Sequence, residues 1–183
     1  MSKKIIVIRG SAAGPKAAAK ARRMDEFAEI TMFQKGPDLS MASCCYPYFV
    51  GGFFDDCNKL LCTPTGVVRD PKFYWNAKGI VAKINTEVTK IERQKKIVEF
   101  PDLLTGEKGK QEYDKLIIAT GATANMPPIP GTNLEGITIL QSMQDADYLR
   151  NIRDEGRIKK AVVLGGGLID IKIMTPNKYD NLL

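Results

Sequence analysis

The run Lys4 to Ile8 (KIIVI), followed at once by Arg9-Gly10-Ser11-Ala12-Ala13-Gly14, constrains this chain more than any other feature. Consecutive β-branched residues suit a strand buried on both faces of a parallel sheet. The small residues after it form a tight turn. Pro15 to Met24 is alanine-rich, tolerates Pro15 in a first helical turn and carries Arg22 and Arg23 near the far end, where cations complement the helix dipole. A second strand, Glu29 to Phe33 (EITMF), then arrives at the spacing of a βαβ unit. The chain has 183 residues, 44% hydrophobic and 26% charged, so it has enough core for one domain, or one and a part.

Beyond the second strand, residues 35–70 read as loop, with Gly36-Pro37, Pro47, Gly51-Gly52 and Pro64 as punctuation. From Gly79 onward, IVAKINTEVTKIE, a bend at Arg93 to Lys96, IVEF and a turn at Thr105 to Lys110 predict a small antiparallel meander. YDKLIIATGA then returns to the main sheet. Met126 to Gly131 (MPPIPG) is a stiff linker, because proline neither donates to a sheet nor continues a helix. A helix is expected around Ser142 to Glu155, then a β-run over Lys160 to Leu164 and a second turn at Gly165-Gly166-Gly167.

Several function classes fall away on composition. Histidine is absent, which removes Ser-His-Asp triads, Cys-His pairs and HExxH zinc sites. The net charge of +6 is scattered along the chain without a nucleic-acid module, so no nucleic-acid partner is expected. No window reaches the roughly 20 apolar residues needed to cross a bilayer, and no signal-peptide pattern opens the chain. A cytoplasmic protein with no membrane association is expected, with Cys44, Cys45, Cys57 and Cys62 as free thiols. The cysteine spacing has no CxxC knuckle, so no metal site is expected.

In a GxGxxG dinucleotide turn the first glycine permits the tight bend, the second admits the pyrophosphate and the third lets helix meet strand. Those places hold Arg9, Ser11 and Gly14. Arg9 lacks glycine's freedom at positive φ. Gln34 stands where a ribose-binding acid is expected, able to hydrogen-bond but uncharged. An ordinary βα turn and a nucleotide turn both remain open on these residues alone.

The string SMASCCYPYFVGG, Ser40 to Gly52, resembles the active-site segment of the single-cysteine pyridine nucleotide-disulfide reductases, the group of coenzyme A-disulfide reductases, NADH oxidases and persulfide reductases. That segment reads roughly SFxNCGLPYYxGG, matched here by Ser40, Cys44, Pro47, Tyr48 and Gly51-Gly52. AAGPKAAAKARRMDEFAEI is similar to the family's first helix and second strand, and YDKLIIATGATANMPPIPG to its "ATG" segment at the edge of the flavin site. With KKAVVLGGGLID the resemblance spans about residues 3 to 171.

The resemblance implies an α/β, Rossmann-like FAD-binding three-layer domain with a small antiparallel β-meander. It implies Cys44 as redox thiol, attacking a disulfide or persulfide sulfur and regenerated by reduced flavin. FAD would be held by Gly10, Ser11, Ala12, Ala13, Gly14, Gln34, Lys35, Ala119, Thr120 and Gly121. Coenzyme A disulfide, or another low-molecular-weight disulfide or persulfide, would meet Arg22, Arg23, Ser40 and Ser43, with Ser43 replacing the family's asparagine. Cys45 stands where the family has glycine. A resolving thiol and a passenger thiol are the two readings of Cys45; adjacent cysteines form strained disulfides, which favours the passenger.

The second glycine turn would open the NAD(P)H-binding fingerprint, GGGxIGxE in relatives and GGGLIDIK here, with Asp170 at the third-glycine place and Lys172 at the glutamate. The expected organisation is an FAD-binding segment over 1–131, a linker and short helix over 132–157, and the start of an incomplete NAD(P)H-binding domain over 158–183. The family's remaining flavin contacts and its dimerisation domain would then come from a complementing chain; a homodimer is the other partner the resemblance leaves open. A catalytically inactive remnant that at most binds a nucleotide or a partner is the alternative.

Overall fold

The computed structural model describes residues 2–156 and 160–174, in two compact units. Unit one comprises Met1–Met41 and Leu61–Gly121; unit two comprises Ala42–Leu60 and Ala122–Leu183.

Unit one is built on a parallel sheet. Strands β1 (Lys4–Ile8), β2 (Glu29–Phe33), β3 (Ile80–Lys83) and β7 (Lys115–Ile118) lie in the order β3-β2-β1-β7. All three pairings are parallel, with Ile5 opposite Ile30 on one side and Lys115 on the other. β1 is therefore central, and Ile6 and Val7 are wholly buried, as its β-branched run requires.

The two faces of β1 have different coverings, because successive side chains point in opposite directions. Ile5 and Val7 pack with Ala18 of helix α1 (Ala13–Met24) and Tyr74 of helix α3 (Pro71–Lys78). Ile6 and Ile8 pack with Phe33 and with Val98 of an antiparallel sheet, β4 (Lys90–Glu92), β5 (Ile97–Pro101) and β6 (Lys108–Glu112). Helices, parallel sheet and meander make the expected three layers, a Rossmann-like arrangement with its meander on one face.

Helix α3 goes unread in the sequence, although its punctuation is strong. Asp70 caps it by accepting from the Phe73 amide at 2.7 Å, Pro71 opens it, and Gly79 ends it at φ +58°. Three backbone carbonyls at helix and loop ends, Glu26 O (2.5 Å), Lys78 O (3.0 Å) and Gly79 O (2.8 Å), accept from the Arg22 guanidinium.

Unit two is helical among its described residues. A 3-10 turn, Ser43–Cys45, runs into α2 (Tyr46–Val50), and a second 3-10 turn covers Cys57–Leu60. The stretch read as loop therefore holds short helices; Pro47 is compatible because it sits in the first turn, where no intrahelical amide bond is lost. Helix α4 (Met143–Asp154) starts with a capping box: Ser142 Oγ accepts from the Asp145 amide at 3.1 Å, and Asp145 Oδ2 accepts from the Ser142 amide at 2.8 Å.

Three expectations are corrected here. IVAK, read as the start of the meander, is β3 of the parallel sheet, because it finds the free edge of β2. The turn expected over Thr105 to Lys110 ends earlier, since β6 begins at Lys108 and pairs with β5. Residues 160–164 form no strand, and Val162 and Leu164 are 85% and 79% exposed. An apolar run becomes a strand only against another strand's hydrogen-bonding edge, and unit two has none among its described residues. Helix α5 (Leu168–Met174) follows the glycine turn. The part of the expected second nucleotide domain beyond residue 174 lies outside the described residues.

Candidate functional site

In unit one the candidate site grows from the end of β1. Arg9 takes φ +80°, a left-handed conformation that a glycine would adopt without steric cost. Its guanidinium donates to the Thr120 carbonyl and to Ser11 Oγ (3.4 Å), so one side chain links the first turn to the segment after β7. The Ala119 amide donates to Ile8 O at 3.0 Å, which brings that segment alongside the exit of β1. Gly14 is the closest approach of α1 to the turn, since a Cβ there would collide with the Arg9 carbonyl oxygen.

Helix α1 has no side-chain cap at Ala12, and no acidic residue stands in its first turn. Its leading amides and dipole are therefore available to an anion. Gln34 is buried, and its Oε1 accepts from the Gly10 amide at 2.9 Å, bracing the turn from the end of β2. Lys35 is exposed and pairs with Glu87 at 3.0 Å. Gly10, Ser11, Ala12, Ala13, Gly14, Gln34, Lys35, Ala119, Thr120 and Gly121 all belong to unit one. The uncapped helix start and the glycine at the helix–strand contact suit a dinucleotide pyrophosphate; the bulk of Arg9 at the first-glycine place is the departure.

The residues expected to meet substrate divide between the units. Arg23 at the end of α1 is exposed, whereas the Arg22 guanidinium is held by the three carbonyls described above. Ser40 lies in unit one at φ +55°; its amide donates to Gly10 O at 2.7 Å and its carbonyl accepts from Arg69 at 3.4 Å. Tyr74 is buried, which pushes its phenol up, and a hydrogen bond with Ser40 opposes that shift.

Ser43, Cys44 and Cys45 form the 3-10 turn of unit two, fastened by the Cys45 amide on Ala42 O at 2.8 Å. Cys44 is exposed, and its Sγ lies 3.9 Å from Cys45 Sγ. The Cys45 thiol is pushed up, first by burial and then by Cys44, while Lys172 pulls it down. All four cysteines are free thiols.

The residue that sequence reasoning misses is Arg150 on α4. Its guanidinium donates to Phe49 O (2.9 Å) and Phe54 O (3.0 Å), meets Asp55 at 2.6 Å and Asp154 at 2.5 Å, and stacks over the Phe49 ring at 5.4 Å. Its side chain is only 13% exposed. Hydrogen bonding to Arg150 holds the Asp55 carboxyl below the usual carboxylate range. Arg150 thus ties the end of α2, the helix that follows the cysteine turn, to α4. A long-range contact between a helix-end carbonyl, a loop carbonyl and an arginine about 100 positions away leaves no local signal in the sequence.

The second glycine turn carries a different load. The Gly167 amide donates to Asp170 Oδ2 at 2.8 Å, and Asp170 also crowds Gly165, which takes φ +142°. The carboxylate occupies the amide that a phosphate would otherwise meet.

Residues 3–173 match the family described as pyridine nucleotide-disulphide oxidoreductase. A coenzyme A disulfide reductase of Staphylococcus haemolyticus is 34% identical over 94% of this chain and 37% of its own length. Among solved structures, an NAD-dependent persulfide reductase from A. fulgidus is 38% identical with a TM-score of 0.88, covering 93% of this chain and 31% of that one. Bacillus anthracis CoADR-RHD in its reduced form is 31% identical with a TM-score of 0.86, covering 95% and 30%. The chain thus spans less than two-fifths of the length of these relatives. With the three-layer fold, the βαβ turn and the match across nearly all its residues, the chain belongs to the pyridine nucleotide-disulphide oxidoreductase family.

Proposed function

We propose that this chain is the N-terminal, FAD-binding part of an NAD(P)H-dependent reductase of small disulfides or persulfides, with Cys44 as its redox thiol. The observation that carries the proposal is an exposed Cys44 on a one-turn helix, in a chain 34% identical to a coenzyme A disulfide reductase.

Flavin, when bound, supplies a two-electron relay between nicotinamide and sulfur. The residues that would hold it are Gly10 to Gly14 and the start of α1, with Gln34 bracing the turn and Lys35, Ala119, Thr120 and Gly121 at its margins. The thiolate of Cys44 attacks one sulfur of the substrate, forms a mixed disulfide and expels the other sulfur as a thiolate. Arg23, Ser40 and Ser43 are the candidates for holding a substrate's phosphates or polar groups, because guanidinium and hydroxyl groups donate to anionic oxygens. Arg22 is a weaker candidate, since its donors already serve carbonyls. The reaction belongs in a reducing compartment such as the cytoplasm, where Cys44 starts as a thiol.

NAD(P)H would bind sequence outside residues 1–131, and the start of that region is the glycine turn at 165–167. Asp170 at the third-glycine place supports the view that this turn contributes little to holding a phosphate.

The test is flavin content and thiol exchange measured on the same purified chain. FAD absorbance should accompany the wild type and Cys44→Ser alike, whereas exchange with coenzyme A disulfide should fall at least 100-fold in Cys44→Ser. A chain that takes up no FAD, or one whose exchange survives the substitution, removes the proposal.

A further inference from the structure

The vicinal pair Cys44 and Cys45 is left unused by a mechanism that needs a single thiol. Two features set the pair apart. The sulfurs lie 3.9 Å apart, on a 3-10 turn of only Ser43–Cys45 that has no side-chain cap and no buried residue. The more exposed sulfur, Cys44, is the natural first attacker, and Cys45 is only partly covered.

We propose that Cys45 is a resolving thiol, so that Cys44 and Cys45 together reduce a small disulfide through one full two-electron step without flavin. The inference rests on Cys44 being the attacking thiol. The Cys44 thiolate attacks a substrate RSSR, the substrate S–S bond breaks, RS⁻ departs and Cys44–S–S–R forms. Cys45 Sγ then attacks Cys44 Sγ, the mixed disulfide breaks, a second RS⁻ leaves and the Cys44–Cys45 disulfide forms. The Cys45 proton leaves with a departing thiolate. The substrate gains two electrons and becomes two thiols, and the dithiol loses two electrons.

The physical chemistry suits a transient product. Neighbouring residues hold their Cα atoms about 3.8 Å apart, closer than a relaxed disulfide takes, so the vicinal bond is strained and easily reduced. Strained, exposed disulfides have more oxidising potentials and are the labile ones. Burial and then the neighbouring Cys44 push the Cys45 thiol up, while Lys172 pulls it down. The greater exposure of Cys44 leaves it to meet the substrate first, and Cys45, its sulfur 3.9 Å away, follows once the mixed disulfide has formed. The turn is only three residues long, has no side-chain cap and buries none of its residues, and the Cys45 amide on Ala42 O and the Tyr46 amide on Ser43 O fasten it.

The experiment uses the full chain with Cys57→Ser and Cys62→Ser, reduced and freed of reductant, then mixed with stoichiometric coenzyme A disulfide. Free coenzyme A thiol and intact protein mass are read together. Two thiols should be released per chain, the mass should fall by two hydrogens, and a peptide bridged at Cys44 and Cys45 should appear. The same chain with Cys45→Ser should release one thiol and keep the coenzyme A adduct on Cys44. A parent chain that keeps the adduct overturns the inference and leaves Cys44 as the attacking thiol. Absence of any Cys44 adduct in both chains overturns the inference together with the reading it rests on. If Cys45→Ser fails to fold, the parent chain's mass and thiol count decide the matter by themselves.

Discussion

The chain has two glycine turns, and they fail the dinucleotide pattern in opposite ways. The first keeps its third glycine, Gly14, and loses its first to Arg9 and its second to Ser11; the second keeps Gly165, Gly166 and Gly167 and loses the later glycine to Asp170. At the first turn the departing side chain donates to the Thr120 carbonyl and Ser11 Oγ, and α1 has no side-chain cap. At the second, the departing side chain folds back and takes the Gly167 amide. The position of a substitution within such a turn therefore matters more than the number of glycines that survive. A cation in the first turn leaves the helix start without a side-chain cap, while an acid at the second helix start takes an amide with its own carboxylate.

The surroundings differ as well. The first turn is anchored in a sheet whose central strand is buried from Ile5 to Ile8, whereas unit two relies on helix packing and on Arg150. The largest expected effect is therefore at Gly14. Gly14→Val forces a side chain against the Arg9 carbonyl and should destabilise unit one by about 3 kcal/mol, read from chemical denaturation. A loss under about 1 kcal/mol would mean that α1 can slide away from β1.

Arg150→Ala ranks next. It leaves Phe49 O and Phe54 O without their charged donor and should cost about 2 kcal/mol, with the ion pairs to exposed carboxylates adding little. Amide exchange should quicken in α2 and α4 and stay unchanged in β1. An effect spread evenly through both units would erase the contrast drawn between them.

Asp170→Gly should cost about 1 kcal/mol, because the Gly167 amide loses its partner and α5 gains a glycine. The sign is the informative part: removing a side chain harms the second turn, where adding one harms the first. A neutral or stabilising Asp170→Gly would show that the carboxylate is strained in its seat.

The smallest effect is on acidification. The Asp55 carboxyl is held low by Arg150, so its stabilising contribution is complete above the ordinary aspartate range and fades as pH falls through its lowered value. The stability difference between wild type and Asp55→Asn should therefore shrink toward zero in strong acid. A difference that grows on acidification has the wrong sign and would separate Asp55 from Arg150.

Much of unit one is legible because its signals are local. KIIVI, the small-residue turn, the alanine-rich helix and EITMF each declare themselves within a few residues, and β1, α1 and β2 follow them closely. The meander is legible in part: KIE and IVEF mark β4 and β5, whereas IVAK joins the parallel sheet and β6 starts inside the stretch read as a turn. Unit two is less so. Its short helices hide among Pro47 and paired glycines, and residues 160–164 look like a strand while finding no edge to pair with.

The sequence by itself determined the βαβ opening and the existence of a small antiparallel sheet, because each depends on the intrinsic preferences of neighbouring residues, and it showed Gly14 and a cysteine in a family-like frame directly. Only the tertiary structure decided that Arg9 links its turn to Thr120, that Gln34 braces Gly10, that Arg22 serves carbonyls and that Arg150 secures Phe49 and Phe54. The physical reason is the reach of the interaction. A turn or helix is chosen by nearby dihedral preferences, whereas a guanidinium selects whatever unpaired oxygens folding brings within hydrogen-bonding distance.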